Sequence, residues 1–120
     1  MTKIFVVDDN DLMCELLAAS LQTGGYEVVV AASAGEALRK MEEEPPGMAF
    51  IDLQMPGMDG RTMLSKMRAN PVLREVPAVA VTAFFLPGGK DEAIAMGFDS
   101  YLTKPIPRPR LLQEAHRWLD

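Results

Sequence analysis

The stretch FVVDDND (residues 5–11) places two adjacent carboxylates directly after a short apolar run. Residues 4–7 are typical of a buried β-strand, and Asp8 and Asp9 follow them without a spacer. Adjacent like charges at the end of a buried strand raise the free energy of the folded state unless a positive charge lies between them. The stretch therefore predicts a strand that ends at a cation-holding site.

The bulk composition limits the class of protein. The 120 residues predict one domain, residues 1–120, without an effector domain. The net charge of −5 argues against nucleic acid as a direct partner. A single cysteine, Cys14, excludes an internal disulfide framework and favours a reducing compartment. Since the sequence shows no signal peptide and no apolar run of membrane-spanning length, we expect a cytoplasmic protein without a membrane partner.

Short apolar runs alternate with amphipathic stretches along the chain. Such alternation predicts an α/β fold of the (βα)₅ type, a doubly wound parallel sheet with helices on both faces. A capping-box spacing, Ser33 to Glu36, marks one helix start. The predicted strands are residues 4–7, 26–30, 48–51, 78–81 and 100–102, and the predicted helices are residues 11–22, 33–41, 61–68, 91–96 and 107–119.

Polar side chains follow several of these strands. Ligands of open α/β sheets bind at the carboxyl ends of the strands, where Asp8, Asp9, Asp52, Thr82 and Lys104 all fall. Clustered carboxylates need a cation, and hard oxygen ligands suit Mg²⁺ or Mn²⁺. The sequence therefore predicts a divalent metal site formed by the three aspartates.

A carboxylate beside a metal and an ammonium group can attack phosphorus and form an aspartyl-phosphate. Asp52 is the best candidate nucleophile, because it stands alone on a central strand. Lys104 supplies a second positive charge for a phosphate. The Thr82 hydroxyl can hydrogen-bond the new phosphoryl oxygens.

Four motifs occur together in one order: Asp8-Asp9, FIDLQMPGMDG (residues 50–60), VTA (residues 81–83) and YLTKP (residues 101–105). With these motifs the whole chain resembles the receiver domain of two-component response regulators, of the single-domain chemotaxis-regulator-like or phosphorelay type. The resemblance implies a flavodoxin-like sheet with strand order 2-1-3-4-5.

The resemblance also assigns roles in the reaction. It implies that Asp52 accepts a phosphoryl group from a sensor histidine kinase or a histidine phosphotransfer protein. Asp8, Asp9, Asp52 and the backbone carbonyl of Gln54 would hold Mg²⁺, and Lys104 would contact the phosphoryl group. The protein would then be a signalling phosphoacceptor that catalyses only its own phosphorylation and dephosphorylation.

The resemblance further implies a switch. Thr82 would move toward the phosphate and Tyr101 would rotate inward after it. The fourth helix, fifth strand and fifth helix would then present an altered face to a downstream protein. The entry to the fourth helix, with Gly88 and Gly89, indicates a mobile segment.

Three further details follow from the resemblance. The Lys104–Pro105 peptide bond is expected to be cis. The side chains of Gln54 and Phe84 would overhang the phosphoryl group. A bulky Phe84 is expected to hinder the attacking water and so to slow hydrolysis of the acyl phosphate.

Three alternatives were weighed against this interpretation. An aspartate-nucleophile phosphohydrolase needs a second acid two residues after the nucleophile, where this chain has Gln54. A flavodoxin-type flavin module needs a Ser/Thr/Gly-rich phosphate loop after the first strand, where this chain has residues 8–11, three of them acidic. A receiver-like interaction module that is never phosphorylated would not need the intact set of Asp52, Thr82 and Lys104.

The last predicted helix carries basic residues that this chemistry leaves unused. Arg108, Arg110 and Arg117 are interpreted as solvated side chains, with a docking face as the alternative. His116, the single histidine, has no partner signature and is not assigned a role. Cys14 is interpreted as a small helix residue near the core.

Overall fold

The computed structural model describes residues 3–83 and 88–119, in which strands and helices alternate. The strands are β1 (Lys3–Val7), β2 (Glu27–Ala31), β3 (Met48–Asp52), β4 (Ala78–Thr82) and β5 (Ser100–Thr103). The helices are α1 (Asp11–Gln22), α2 (Ala34–Glu43), α3 (Gly60–Ala69), α4 (Gly89–Met96) and α5 (Arg108–Leu119).

All strand pairs are parallel, and the order across the sheet is β2-β1-β3-β4-β5. The predicted flavodoxin-like fold is therefore confirmed. The register pairs Val7 with Ile51, Asp52 with Val81, and Thr82 with Thr103. Because the strands are parallel and in this register, their carboxyl ends form one edge of the sheet.

The core lies in two layers, one on each face of the sheet, as a doubly wound fold requires. Alternate strand residues point to opposite layers: Phe5 and Ile51 belong to one, and Ile4 and Phe50 to the other. The first layer is completed by α2, α3 and α4, and the second by α1 and α5. Within the described ranges, none of the helices has the length and apolar character needed to cross a membrane.

The predicted capping box at the start of α2 is present. The Ser33 hydroxyl accepts a hydrogen bond from the Glu36 N–H at 3.2 Å, and the Glu36 carboxylate accepts one from the Ala32 N–H at 2.9 Å. Ser33 is thus the N-cap, and the helix begins at Ala34, one residue later than predicted. An N-cap has extended dihedral angles, so it lies outside the helix it starts.

Other predicted boundaries differ by one or two residues. Helix α3 begins at Gly60, because Asp59 is its N-cap and accepts a hydrogen bond from the Thr62 N–H at 2.8 Å. Strand β2 runs one residue later than predicted, since Ala31 pairs with Val7 of β1. Helices α2, α3 and α4 are longer than predicted, α5 is one residue shorter, and β1, β3, β4 and β5 each gain a residue.

Helix α4 buries little of its surface. Its single buried residue is Ala93, and the glycines at its two ends, Gly88 and Gly97, have φ angles of 89° and 110°. Its carboxyl end is held by Arg68, whose guanidinium donates to the Gly97 carbonyl at 3.4 Å and to Asp99 at 3.1 Å. This helix therefore has little buried apolar area to resist a shift.

Candidate functional site

The three predicted aspartates meet at the carboxyl edge of the sheet. Asp8 and Asp52 are only 2 % and 6 % exposed, whereas Asp9 is exposed. One carboxylate oxygen from each of the three lies within 4.8 Å of the others. They meet because β1 and β3 are neighbours in the sheet and end at the same level. The predicted clustering of the aspartates is therefore confirmed.

Lys104 lies between the two buried carboxylates. Its Nζ is 2.7 Å from Oδ2 of Asp8 and 3.6 Å from Oδ2 of Asp52. Lys104 is thus the countercharge of both aspartates, and its predicted contact with a phosphoryl group stays a prediction. The Lys104 side chain is only 12 % exposed, so water screens the charges of this ion pair only weakly.

Backbone N–H groups hold the other oxygen of each buried carboxylate. The Asn10 N–H donates to Oδ1 of Asp8 at 2.9 Å, and the Gln54 N–H donates to Oδ1 of Asp52 at 3.2 Å. Each is a bond from a side chain to the backbone two residues on, which is typical of aspartate at a turn. These bonds orient both carboxylates toward Lys104.

The surroundings of Asp52 make its charged form less stable than that of an ordinary aspartate. Burial raises the pKa of this carboxyl above its ordinary value, and the negative charge of Asp8 raises it further. The Gln54 N–H and the Lys104 ammonium oppose this shift without cancelling it. An added cation at this edge would therefore find a carboxylate that lacks full charge compensation.

Cys14 contributes a contact that sequence reasoning missed. Its Sγ lies 3.2 Å from the backbone carbonyl of Asp8, to which the thiol donates. Burial raises the pKa of Cys14 to about 11, so the group is a neutral thiol at physiological pH. No sequence pattern signals this contact, because it depends on how α1 packs against the end of β1.

The remaining predicted site residues surround the acidic cluster. Thr82 ends β4 and is 1 % exposed. Tyr101 on β5 is half-buried, and its hydroxyl oxygen is enclosed without a hydrogen-bond partner among the residues described. The Lys104–Pro105 peptide bond is cis, in agreement with the resemblance. The Gln54 side chain is exposed, and Phe84 lies outside the described residues.

The loop after β3 approaches the backbone of Asp52 at Gly60. A Cβ atom at this position would overlap the Asp52 carbonyl oxygen and come within 3.0 Å of the Leu53 Cα. Gly60 also donates its N–H to the Leu53 carbonyl at 3.2 Å. The motif FIDLQMPGMDG thus needs glycine at its last position for close backbone packing.

We expect Gly60→Ala to lower the free energy of unfolding by about 1–3 kcal/mol, because backbone atoms must shift to admit the methyl group. Urea denaturation measures this loss. Gly35→Ala is the matched control: Gly35 is in helix α2, and no atom lies within 4 Å of an added Cβ. That control should gain about 0.5–1 kcal/mol, and equal stabilities for the two variants would contradict the argument.

The donor set at this edge fits a hard divalent cation. Three carboxylates from Asp8, Asp9 and Asp52 offer oxygen ligands on one side, and the exposure of Asp9 leaves room for water. Mg²⁺ prefers such sites, in which a few carboxylates bind and several waters stay.

Comparison with known proteins supports the geometric evidence. Residues 4–116 match the response regulator receiver domain. The chain is 32 % identical to the polar-differentiation response regulator DivK of Brucella ovis, over 99 % of this chain and 98 % of DivK.

Solved structures show the same likeness. Chemotaxis protein CheY4 of Vibrio cholerae superposes with a TM-score of 0.91 at 31 % identity, covering 99 % of both chains. A CheY-like receiver domain protein from Methanospirillum hungatei has a TM-score of 0.88 at 29 % identity, covering 100 % of this chain and 94 % of that one. The protein described here therefore belongs to the response regulator receiver domain family.

Proposed function

We propose that Asp52 accepts a phosphoryl group from the phosphohistidine of a sensor histidine kinase or a histidine phosphotransfer protein. The observation that carries this proposal is the pair of buried carboxylates, Asp8 and Asp52, joined by Lys104 beside the exposed Asp9. Such a site attracts cations and can stabilise the charge of a phosphoryl group.

The reaction transfers phosphorus from nitrogen to oxygen. A carboxylate oxygen of Asp52 forms the new P–O bond, the P–N bond breaks, and the imidazole leaves with the electron pair. The N–H of Gln54 orients Asp52 through its Oδ1. The Lys104 ammonium, close to Oδ2 of Asp52, is suited to neutralise charge on the phosphoryl oxygens.

Asp8, Asp9, Asp52 and the Gln54 carbonyl are the groups that would hold Mg²⁺ or Mn²⁺. When bound, the metal supplies charge neutralisation at the phosphoryl oxygens. Asp8 is suited to be a metal ligand, because the Asn10 N–H and the Lys104 ammonium fix the positions of both of its carboxylate oxygens. The acceptor then loses its phosphoryl group to water, with Gln54 and Phe84 proposed to limit the access of that water.

Signal output is proposed to pass through Thr82 and Tyr101 to α4, β5 and α5. The enclosed, unpartnered hydroxyl of Tyr101 within the described ranges supports a side chain that can exchange positions, since an unsatisfied buried hydroxyl destabilises its conformation. The small buried area of α4, in which Ala93 is the one buried residue, supports a surface that can rearrange.

The partner that donates the phosphoryl group is proposed to dock beside the acidic site. Leu12 and Leu16 on α1 are 63 % and 54 % exposed, which is unusual for leucine and typical of an interaction surface. We also propose that residues 1–120 act as one receiver unit in the cytoplasm, without direct contact to nucleic acid or membrane.

Three other functions are less well supported. A phosphohydrolase would place a general acid two residues after Asp52, whereas Gln54 is an amide. A phosphorylation-independent interaction module would not require Lys104 to bridge two buried carboxylates, whose desolvation opposes folding. The acidic pair after β1 likewise opposes a flavin phosphate.

The test is the intact mass of the protein after incubation with acetyl phosphate, with Mg²⁺ and with EDTA. We expect a Mg²⁺-dependent gain of one phosphoryl group that hydroxylamine removes, because an acyl phosphate is the product. A gain that resists hydroxylamine, or no gain with Mg²⁺ present, would contradict the proposal.

A further inference from the structure

Helix α5 contains a buried carboxylate that the proposed phosphoryl chemistry does not use. Glu114 is 0 % exposed. It accepts hydrogen bonds from Arg110 Nη1 at 2.8 Å and Trp118 Nε1 at 3.0 Å, and also bonds the Ser100 hydroxyl. Burial raises the pKa of Glu114, but these three hydrogen bonds outweigh burial and hold the pKa below its ordinary value. Glu114 is therefore a charged anchor between β5 and α5.

This anchor positions two arginines at the surface. Arg110 makes the bond described above, and Arg117 Nη1 lies 3.8 Å from the same carboxylate. The Arg117 guanidinium also lies 5.0 Å from the centre of the Trp118 ring, over its face. The two arginine side chains remain 42 % and 52 % exposed. Both guanidinium groups are thus held in place while part of each faces solvent.

An arginine has five N–H donors. Among the residues that the structure describes, Arg110 donates to Glu114 alone, through Nη1. Its other N–H groups can bind a second carboxylate, which guanidinium recognises in a bidentate geometry. Because Glu114 already restricts the side chain, binding loses less conformational entropy than it would at a free arginine.

A groove of about 280 Å³ adjoins Arg110, between β5 and the start of α5. Strand β5 is at the edge of the sheet, so no further strand covers this side. The groove can therefore take an apolar side chain beside a carboxylate bound to Arg110, the arginine that lines it. The other lining residues are Tyr101, Leu102, Thr103, Pro105, Ile106 and Pro107.

The charge of this region is opposite to that of the chain as a whole. The net charge of the protein is −5, yet the one acidic residue of α5, Glu114, is buried, and its arginines are exposed. A positive surface on an acidic protein favours a negatively charged partner at this place and repels it elsewhere. The negative remainder also disfavours a nucleic acid, which carries charge along its whole length.

We propose that the face formed by Arg110, Arg117 and the adjoining groove, the α5 arginine face, binds an acidic segment of a partner protein. Carboxylates of that segment bind Arg110 and Arg117, and an apolar side chain fills the groove. The proposal rests on the proposed function, because this face is part of the output surface proposed above and Tyr101, which lines the groove, is the proposed switch residue.

The test uses the full chain and a synthetic peptide of Asp, Glu and Leu, with a matched peptide in which Lys replaces the acidic residues. Trp118 is the single tryptophan and lies at the face, so its fluorescence reports binding there. We expect the acidic peptide to bind and the lysine peptide not to bind. Arg110→Gln should weaken the affinity for the acidic peptide about tenfold, which is the effect of one charge-assisted hydrogen bond. Arg39→Gln is the control, since exposed Arg39 is on α2, across the sheet.

Equal binding of the two peptides, an equal loss in Arg39→Gln, or tighter binding of a DNA duplex than of the acidic peptide would overturn the proposal. Acetyl phosphate separates it from the proposed function. A protein that gains a phosphoryl group without binding the acidic peptide in either state refutes the inference alone. Peptide binding that is lost in Arg110→Gln but is unaffected by phosphorylation supports the inference. It refutes the proposed control of this face through Tyr101.

Discussion

Asp52→Asn is expected to abolish the gain of a phosphoryl group and, in EDTA, to raise the melting temperature by about 4 °C, equivalent to roughly 1 kcal/mol. The first effect follows because an amide is not a nucleophile toward phosphorus. The second follows because the substitution removes one of two buried negative charges while keeping the size of the side chain. Intact mass and thermal unfolding measure the two effects.

The gain in stability should depend on pH. The pKa of Asp52 is raised in the folded protein by burial and by Asp8. Between the ordinary aspartate pKa and this raised value, the folded state binds more protons than the unfolded state, so wild-type stability falls as pH rises. Asparagine does not titrate. The stability difference between the variant and the wild type should therefore grow from acidic to neutral pH.

Asp59→Asn is the control for this prediction. Asp59 is an exposed N-cap whose pKa is lowered by the Thr62 N–H, so its substitution should not stabilise the protein and should leave phosphorylation intact. A melting temperature that falls in Asp52→Asn, or a phosphoryl gain that persists at a normal rate, would show that Asp52 is not the strained phosphoacceptor described here.

Lys104→Ala is expected to lower the free energy of unfolding in EDTA by about 3–5 kcal/mol, because it leaves the buried Asp8 and Asp52 without their shared cation. This is a large part of the total stability of a small domain. Urea denaturation at neutral pH measures the loss. Phosphorylation by acetyl phosphate should also slow, since the ammonium is suited to neutralise the phosphoryl oxygens.

Saturating Mg²⁺ should reduce the difference between Lys104→Ala and the wild type. A metal at the three aspartates stabilises the folded state by mass action and supplies the missing positive charge. Lys40→Ala is the matched control, because Lys40 pairs with Glu36 on the surface of α2 and should lose less than about 1 kcal/mol. A difference that is unchanged by Mg²⁺ would contradict metal binding at this cluster.

The two variants change the net charge of the acidic site in opposite directions. Asp52→Asn removes a negative charge and Lys104→Ala removes a positive one, so the first should stabilise and the second destabilise the metal-free protein. Asp8, held by Asn10 and Lys104, remains in both. Opposite signs would show that the site is charge-imbalanced before a metal or a phosphoryl group arrives.

The α5 arginine face differs from the acidic site in the sign of its net charge. There a single buried carboxylate, Glu114, is surrounded by donors and needs no further cation. The arginines around it give this face a net positive charge, which lies at the surface. The chain thus has a region that attracts cations at the carboxyl edge of the sheet and a region suited to anions on α5.

The amino-acid sequence by itself determined the order of the elements and the strand ends. Hydrophobic periods of two and 3.6 residues are local properties, and they predicted the alternation of β1 to α5. Parallel strands align their carboxyl ends, so Asp8, Asp52 and Lys104 could be brought together on topology alone. The capping box at Ser33 was equally local.

Only the tertiary structure decided which groups contact one another, because those contacts join residues far apart in the chain. Lys104 reaches back to Asp8 across the sheet edge, and Cys14 donates to the Asp8 carbonyl only where α1 packs on β1. His116, for which the sequence shows no partner signature, has the Tyr26 hydroxyl 3.0 Å from its Nδ1. No sequence pattern predicts that Glu114 is buried, since its burial depends on how α5 lies against β5. Local patterns specify elements, whereas the burial of a charge, and for Asp8 and Asp52 also its compensation by Lys104, depends on packing that no single segment contains.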